Sequence, residues 1–371
     1  PKECIHVWYA TGPLNWSGQM NSWRRSVAEM TREAAIASLN PSVIVVTSIF
    51  EGLNDDAVTS VGGLPGAPPT VAVLYDLIPA LNPDTYLANP VVATWYEDKL
   101  RHVRNADLLF AISESSRQEA ITHLGCDKIK VVNVSTDADP QFTLRNVSSS
   151  HETKLRDKYR LKRPFVMYTG GIDHRKNIEG LVRAWALLPK TLRCSHQLAI
   201  ICSIQIEDLE RIQALAYQHG LLTDDIVFTG FVPEEDLVNL YNICKLFVFP
   251  SWHEGFGLPA LEAMRCGKAV LAADSSSLPE VIGRSDSLFD PFNDASISDK
   301  IKQVLVDDDF REELEQHALV QSKFFSWDKT GKEAIQSLQK LYEAINLHCD
   351  EKRHSKDCIF FTAAACEKRY C

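Results

Sequence analysis

The chain has 371 residues, 45% of them hydrophobic and 24% charged, with a formal net charge of -10. That length suits two domains with a core each, while the acidity argues against a nucleic acid as partner, because phosphate-backbone binders need a basic surface. No apolar run approaches the ~18 residues that span a bilayer, and the opening Pro1-Lys2-Glu3-Cys4 lacks the basic and apolar regions of a signal peptide, so a cytoplasmic protein is expected.

In chain order, the short β-branched runs Ile5 to Tyr9, Val43 to Ser48, Val71 to Asp76, Leu108 to Ser113 and Ile129 to Val134 predict strands. Between them Trp23 to Leu39, Tyr96 to Asn105 and Ser115 to Leu124 carry apolar residues at helical spacing, the pattern of a parallel α/β domain with crossover helices. The basic groups Arg24-Arg25 and Lys99, Arg101, His102, Arg104 read as charge on exposed helix faces, with peripheral contact to the inner face of an anionic membrane as the alternative. The polar stretch Asp137 to Glu152 holds Pro140 and Ser148-Ser149-Ser150 and reads as a linker. A second alternating set follows. Strands Phe165 to Thr169, Leu198 to Cys202, Ile226 to Phe228, Leu246 to Phe249 and Ala269 to Ala273 are separated by helices that begin near Asn177, Glu207, Glu234 and Leu258. A last helix, Trp327 to Ile345, is capped by Ser326, places Ile335, Leu338, Tyr342 and Ile345 on one stripe, and is expected to pack on a domain. The expected fold class is α/β, with two Rossmann-like, doubly wound domains over residues 1–150 and 151–325, a helix over 326–346 and a tail over 347–371. Among ten cysteines, Cys202, Cys244 and Cys266 read as small buried hydrophobes of a reducing compartment, whereas Cys349, Cys358, Cys366 and Cys371 crowd the tail at spacings that fit no standard zinc pattern.

In open parallel sheets ligands bind beyond the carboxyl ends of strands, which directs attention to the turns that follow them. One such turn is Thr169-Gly170-Gly171-Ile172-Asp173-His174-Arg175-Lys176-Asn177. Glycines that let the backbone approach a ligand, a helix N-terminus and two cations together make an anion site, and a pyrophosphate suits it. The other is Phe249-Pro250-Ser251-Trp252-His253-Glu254-Gly255-Phe256-Gly257-Leu258-Pro259, which runs into a helix with Pro259 in its first turn and Gly267 at its end. Glu254 at the loop mouth and Glu262 one turn into the helix are two carboxylates able to accept hydrogen bonds from sugar hydroxyls, those of a hexose and those of a ribose. No residue stands out as an enzymic nucleophile, no carboxylate cluster reads as a divalent-metal site, and no G-x-G-x-x-G follows a predicted strand, which argues against a nicotinamide dehydrogenase.

The string PSWHEGFGLPALEAMRCGKAV, with Glu254 and Glu262 in E-x7-E spacing, and TGGIDHRKN resemble the large retaining glycosyltransferase family 4 of GT-B fold. The resemblance runs from about Val71 to Ile345 and takes in AISESSRQEA, VFTGFVPEEDLVNLY, SSLPEVIG and FSWDKTG. It implies two domains facing across a cleft, a nucleotide-diphosphate sugar as donor substrate, a glycan or lipid-linked acceptor, retention by same-face displacement, and neither metal nor cofactor. It implies that Arg175 and Lys176 hold the diphosphate, that Glu254 contacts the transferred sugar, and that Glu262 binds the ribose. Gly171, Gly255, Phe256, Gly257 and Leu258 complete the implied donor site. Asp76 matches the sugar-side residue of the N-terminal domain, while Tyr75 stands where the family often has histidine. The family's first strand and glycine-rich acceptor-side loop are not found, so the N-terminal domain is expected to lack them. Similar sequences suggest bacterial cell-surface polysaccharide or lipopolysaccharide assembly, with GDP-mannose as the favoured donor. The alternatives are a sugar-nucleotide epimerase of the same fold, a glycoside hydrolase working through Glu254 and Glu262, and a non-catalytic nucleotide-sugar-binding subunit.

Overall fold

A computed structural model describes residues 4–17 and 22–354, with 346–354 described by backbone alone. The tail residues Cys358, Cys366 and Cys371, like the side chain of Cys349, lie outside the described residues. The chain divides into two compact units: residues up to Ser135 together with those from Asp328 on, and Thr136–Trp327. The stretch read as a linker, Asp137 to Glu152, therefore belongs wholly to the second unit. Asp137 is buried there and pairs with Arg265 at 2.6 Å, and a helix spans Ser149–Lys158.

Among its described residues the first unit holds four parallel strands in the order β1-β2-β3-β4: β1 Ile44–Val46, β2 Thr70–Leu74, β3 Leu108–Ala111 and β4 Val131–Asn133. Alternate side chains point to opposite faces, as a pleated strand requires. Ala72, Leu74, Leu109 and Ala111 pack with Tyr96, Leu100 and Val103 of helix Pro90–Asn105 and with Ala120 of helix Glu114–His123. Val71, Val73, Leu108 and Phe110 face the other way and meet Ala334, Leu338 and Leu341 of the C-terminal helix Trp327–His354. That helix thus packs on the first unit through a stripe rotated from the expected one. Ile335 and Tyr342 are 57% and 44% exposed, because Ala334, Leu338 and Leu341 form an equally apolar set at helical spacing with a small residue at the contact.

Two further expectations are corrected. Ile5 to Tyr9 forms no strand, and Ile5, Val7 and Tyr9 stay 69%, 66% and 84% exposed. A β-branched run becomes a strand only where a neighbour supplies hydrogen bonds and a surface to cover. Lys99 and His102, read as exposed charge, are buried, because helix Ser22–Ala37 brings Glu29 to within 3.8 Å of the His102 ring.

The second unit holds six parallel strands in the order β10-β9-β8-β5-β6-β7: β5 Phe165–Thr169, β6 Gln197–Ile201, β7 Ile226–Phe228, β8 Leu246–Phe249, β9 Val270–Ala273 and β10 Leu288–Phe289. Every residue of β5, β6, β8 and β9 is buried, which explains their nearly continuous apolar runs in place of alternation. From β5 the chain winds outward through β6 and β7, then returns to lay β8 on the other side of β5, with Val166 opposite Leu246. The reversal opens a crevice between the loops after β5 and β8. In the first unit the described strands follow sequence order without a reversal.

Candidate donor-binding site

The loop after β5 forms a single 3-10 turn, His174–Lys176. Asp173 caps it by accepting the Arg175 amide, and it ends at Asn177, which is left-handed with φ 54°. Asn177 is buried, and its side-chain amide donates to the Pro250 carbonyl at 3.3 Å and the Pro291 carbonyl at 2.8 Å. One side chain thereby ties together the loops after β5, β8 and β10. The Trp252 amide donates to the Arg175 carbonyl at 2.8 Å, and the His174 ring meets the Trp252 ring edge-on at 4.4 Å, joining the first two loops again.

This scaffold brings Arg175, Lys176 and Glu254 together. Lys176 Nζ donates to Glu254 Oε1 at 2.6 Å, Arg175 Nη1 lies 3.0 Å from Glu254 Oε2, and Arg175 Nη1 also donates to the His253 carbonyl at 2.8 Å. Glu254 is 7% exposed. Burial pushes the Lys176 ammonium below its ordinary value, and the facing Glu254 carboxylate opposes that effect. The Glu254 backbone is held as well: its amide donates to Ser276 Oγ, and its carbonyl accepts from Ser277 Oγ, both at 2.9 Å. Ser277 Oγ also reaches the Phe256 carbonyl at 2.8 Å, and Ser275 Oγ the Trp252 carbonyl. This three-serine buttress on the loop after β9 leaves no trace in the sequence, since partners more than 20 positions apart share no local pattern.

Helix Leu258–Arg265 begins at Gly257, whose φ of 103° suits glycine, and a Cβ there would lie 2.6 Å from Leu278 Cδ2. Gly255 and Phe256 are buried, and the Phe256 ring packs edge-on against Phe325 at 5.4 Å, so Phe256 can offer a ligand only its backbone. Leu258 and Gly171 are exposed. Glu262, half-buried on this helix, accepts a hydrogen bond from Tyr241 at 2.8 Å and has its own environment apart from the Arg175–Lys176–Glu254 cluster. Burial pushes its carboxyl up to about 7, and the Tyr241 hydroxyl works in the opposite direction.

Tyr75 and Asp76 follow β2 in the first unit. Tyr75 is 49% exposed, and its carbonyl accepts from Ser116 at 2.7 Å. Asp76 Oδ1 accepts the Ile78 amide at 3.0 Å, which makes it a turn-capping residue whatever else it does. Among the described residues, one group has the spacing of metal ligands, Glu29, Asp98 and His102, with donor atoms within 4.8 Å of one another. It lies in the first unit, and Arg101, 3.2 Å from the His102 ring and 2.8 Å from Asp98, already supplies positive charge there.

Residues 151–320 match the family of glycosyl transferases group 1. The serotype-specific mannosyltransferase WbdA of Escherichia coli is 40% identical over 342 residues, which cover 92% of this chain and 42% of the relative. The O-antigen chain mannosyltransferase B of Escherichia coli is 34% identical over 249 residues, 66% of this chain and 64% of that protein. The chain thus spans about two-fifths of the length of WbdA. Among solved structures, sucrose-phosphate synthase from Thermosynechococcus elongatus has a TM-score of 0.66 at 20% identity, covering 88% of this chain and 80% of that one. Anabaena HepE in complex with UDP and glucose has a TM-score of 0.63 at 20% identity, covering 74% and 72%. These likenesses show the fold, two parallel α/β domains of the GT-B kind.

Proposed function

The chain belongs to the glycosyl transferases group 1, and from that premise we propose that it moves a hexose, mannose favoured, from a nucleotide-diphosphate sugar to a glycan or lipid-linked acceptor in cell-surface polysaccharide assembly. One observation carries the reading: two cations and a buried carboxylate converge at the switch point of the second sheet, where such sheets bind ligands. Arg175 and Lys176 hold the diphosphate and stabilise the charge that develops on it as the glycosidic bond breaks. Glu254 accepts hydroxyls of the transferred sugar, and Glu262 those of the ribose. In this reading transfer proceeds with retention by same-face displacement, Glu254 receiving hydrogen bonds from the sugar and not attacking its anomeric carbon. Metal independence accords with the fixed positive charge of Arg175 and Lys176 at the place where a divalent ion would otherwise neutralise the leaving group. The names of the relatives support mannose as the transferred sugar and an O-antigen chain as acceptor, and GDP-mannose is the donor proposed for it. No helix among the described residues is long and apolar enough to cross a membrane.

The test is thermal stabilisation by GDP, UDP and ADP, since a ligand that binds the native state raises the midpoint according to its affinity. One nucleotide, expected to be GDP, should stand apart. Lys176→Ala should still fold, because Arg175 remains 3.0 Å from Glu254, and Glu262→Ala relieves a buried acid. Both should lose the nucleotide-induced shift and the transfer activity. Undiminished shifts in both variants would overturn the site assignment.

A further inference from the structure

We propose that Glu254 is a built-in competitor of the donor's phosphates, so that the site favours a nucleotide sugar over a bare nucleoside diphosphate. This rests on the assignment of Arg175 and Lys176 to the diphosphate. Both carboxylate oxygens are occupied, one by Lys176 at 2.6 Å and one by Arg175 at 3.0 Å. The arrangement meets the need of a buried cation for a counter-charge. Lys176 is largely withdrawn from water and lies 5.3 Å from the centre of the Phe249 ring, and a buried ammonium needs an anion close by. Glu254 supplies it from a backbone fixed on both sides by Ser276 and Ser277, leaving side-chain rotation as its freedom.

An incoming diphosphate needs the same two cations. Two anions sharing them in a site shielded from water repel one another, so the carboxylate must give up its ion pairs. A nucleotide sugar brings compensation, because its sugar hydroxyls donate to the displaced carboxylate. A bare diphosphate brings none. Once the sugar has been transferred, Glu254 is again without hydroxyl donors and competes for Lys176 and Arg175, which weakens the hold on the product. The same residue thus holds the two cations together, reads the sugar and helps release the nucleoside diphosphate.

The experiment is calorimetric titration of the full chain and of Glu254→Gln with GDP, UDP, inorganic pyrophosphate and GDP-mannose. Glutamine keeps the shape and an acceptor oxygen but removes the competing charge. Nucleoside diphosphate and pyrophosphate should bind Glu254→Gln about tenfold or more tighter than the unaltered protein, the scale of coupling seen for close charge pairs. GDP-mannose should bind no tighter. Glu254→Asp, whose carboxylate is drawn back by one methylene, should fall between the two, and it keeps the test open if the glutamine variant does not fold. Equal or weaker diphosphate binding in the variants, with binding retained by the unaltered protein, overturns the proposal and leaves the donor site standing. Absence of binding by every form to every nucleotide and to pyrophosphate overturns both.

Discussion

Glu262 shows how one side chain can make binding depend on pH. Its carboxyl is pushed up to about 7 by burial, and the Tyr241 hydroxyl, 2.8 Å away, favours the ionised form. A carboxyl that accepts hydrogen bonds from both ribose hydroxyls must be ionised, so nucleotide affinity should rise as pH climbs through about 7 and level off above it. Tyr241→Phe removes the one donor, and a hydrogen bond to a charged group contributes about 1.5 to 3 kcal/mol, so the midpoint should move up by about one pH unit or more. Nucleotide dissociation constants measured from pH 5.5 to 9 in both proteins check this. A flat profile in the unaltered protein would remove Glu262 from the ribose. By the linkage sign, a raised carboxyl leaves stability intact below its unfolded value of 4.5 and lowers it as pH rises through about 7.

At the scale of elements, the donor site is a junction of loops, and Asn177 is its fastener. Replacement by alanine loses two hydrogen bonds, about 2 kcal/mol together, and leaves a side chain at a left-handed backbone position, roughly 1 kcal/mol more. Glycine loses the same hydrogen bonds without that strain. Asn177→Ala should therefore be destabilised more than Asn177→Gly in denaturant unfolding, and both should bind nucleotide more weakly, because Arg175 and Lys176 directly precede the fastener. Equal stability of the two variants would show that the φ of 54° plays no part. Gly180 belongs to the same fastener: a Cβ there would fall 2.3 Å from Asn177 Oδ1. The sequence announces much of this junction. Nearly continuous apolar runs mark β5, β6, β8 and β9, because strands buried on both faces carry few polar positions, here Thr169 and Gln197 at strand ends, and glycine and proline punctuate the loops between strand and helix. The pair Arg175–Lys176 and the carboxylate Glu254 are visible as residue types after strands, but their mutual pairing is not, because Lys176 and Glu254 are 78 positions apart. Ser275, Ser276 and Ser277 look like an ordinary polar loop, and the two-residue β10 is too short to leave a periodic trace. Ile5 to Tyr9 misleads in the opposite sense, since it has the composition of a strand and no sheet to join.

At the scale of the molecule, the two units differ in the groups that set their response to pH. In the first, His102 is wholly buried, with its Nε2 3.6 Å from Asp98 and 3.8 Å from Glu29. Burial alone would push the imidazole down, but the neighbouring Asp98 and Glu29 carboxylates outweigh it and raise His102 to about 9, while Lys99, Arg25 and Arg32 hold positive charge around the same carboxylates. Burial likewise opposes ionisation of Asp98, and its bonds to His102 and Arg101 carry it down to about 2. The raised histidine contributes stability that is complete below pH 6.5 and is lost as pH rises through about 9, whereas Asp98 contributes above 3.8 and is lost towards pH 2. Integrated over that window, His102 corresponds to about 3 kcal/mol. In the second unit the corresponding loss falls earlier, between 4.5 and about 7, through Glu262. A chain of two units need not unfold in one step, and hydrogen exchange can assign each loss to its unit. Between pH 6.5 and 9.5, amides of helix Pro90–Asn105 and of β2 and β3 should lose protection, with much less change in β5 and β8. His102→Gln, neutral throughout, should be less stable than the unaltered protein at pH 6.5 and should show no further loss up to pH 9.5. Persistence of the full pH dependence in that variant would place its origin in a group other than the buried histidine.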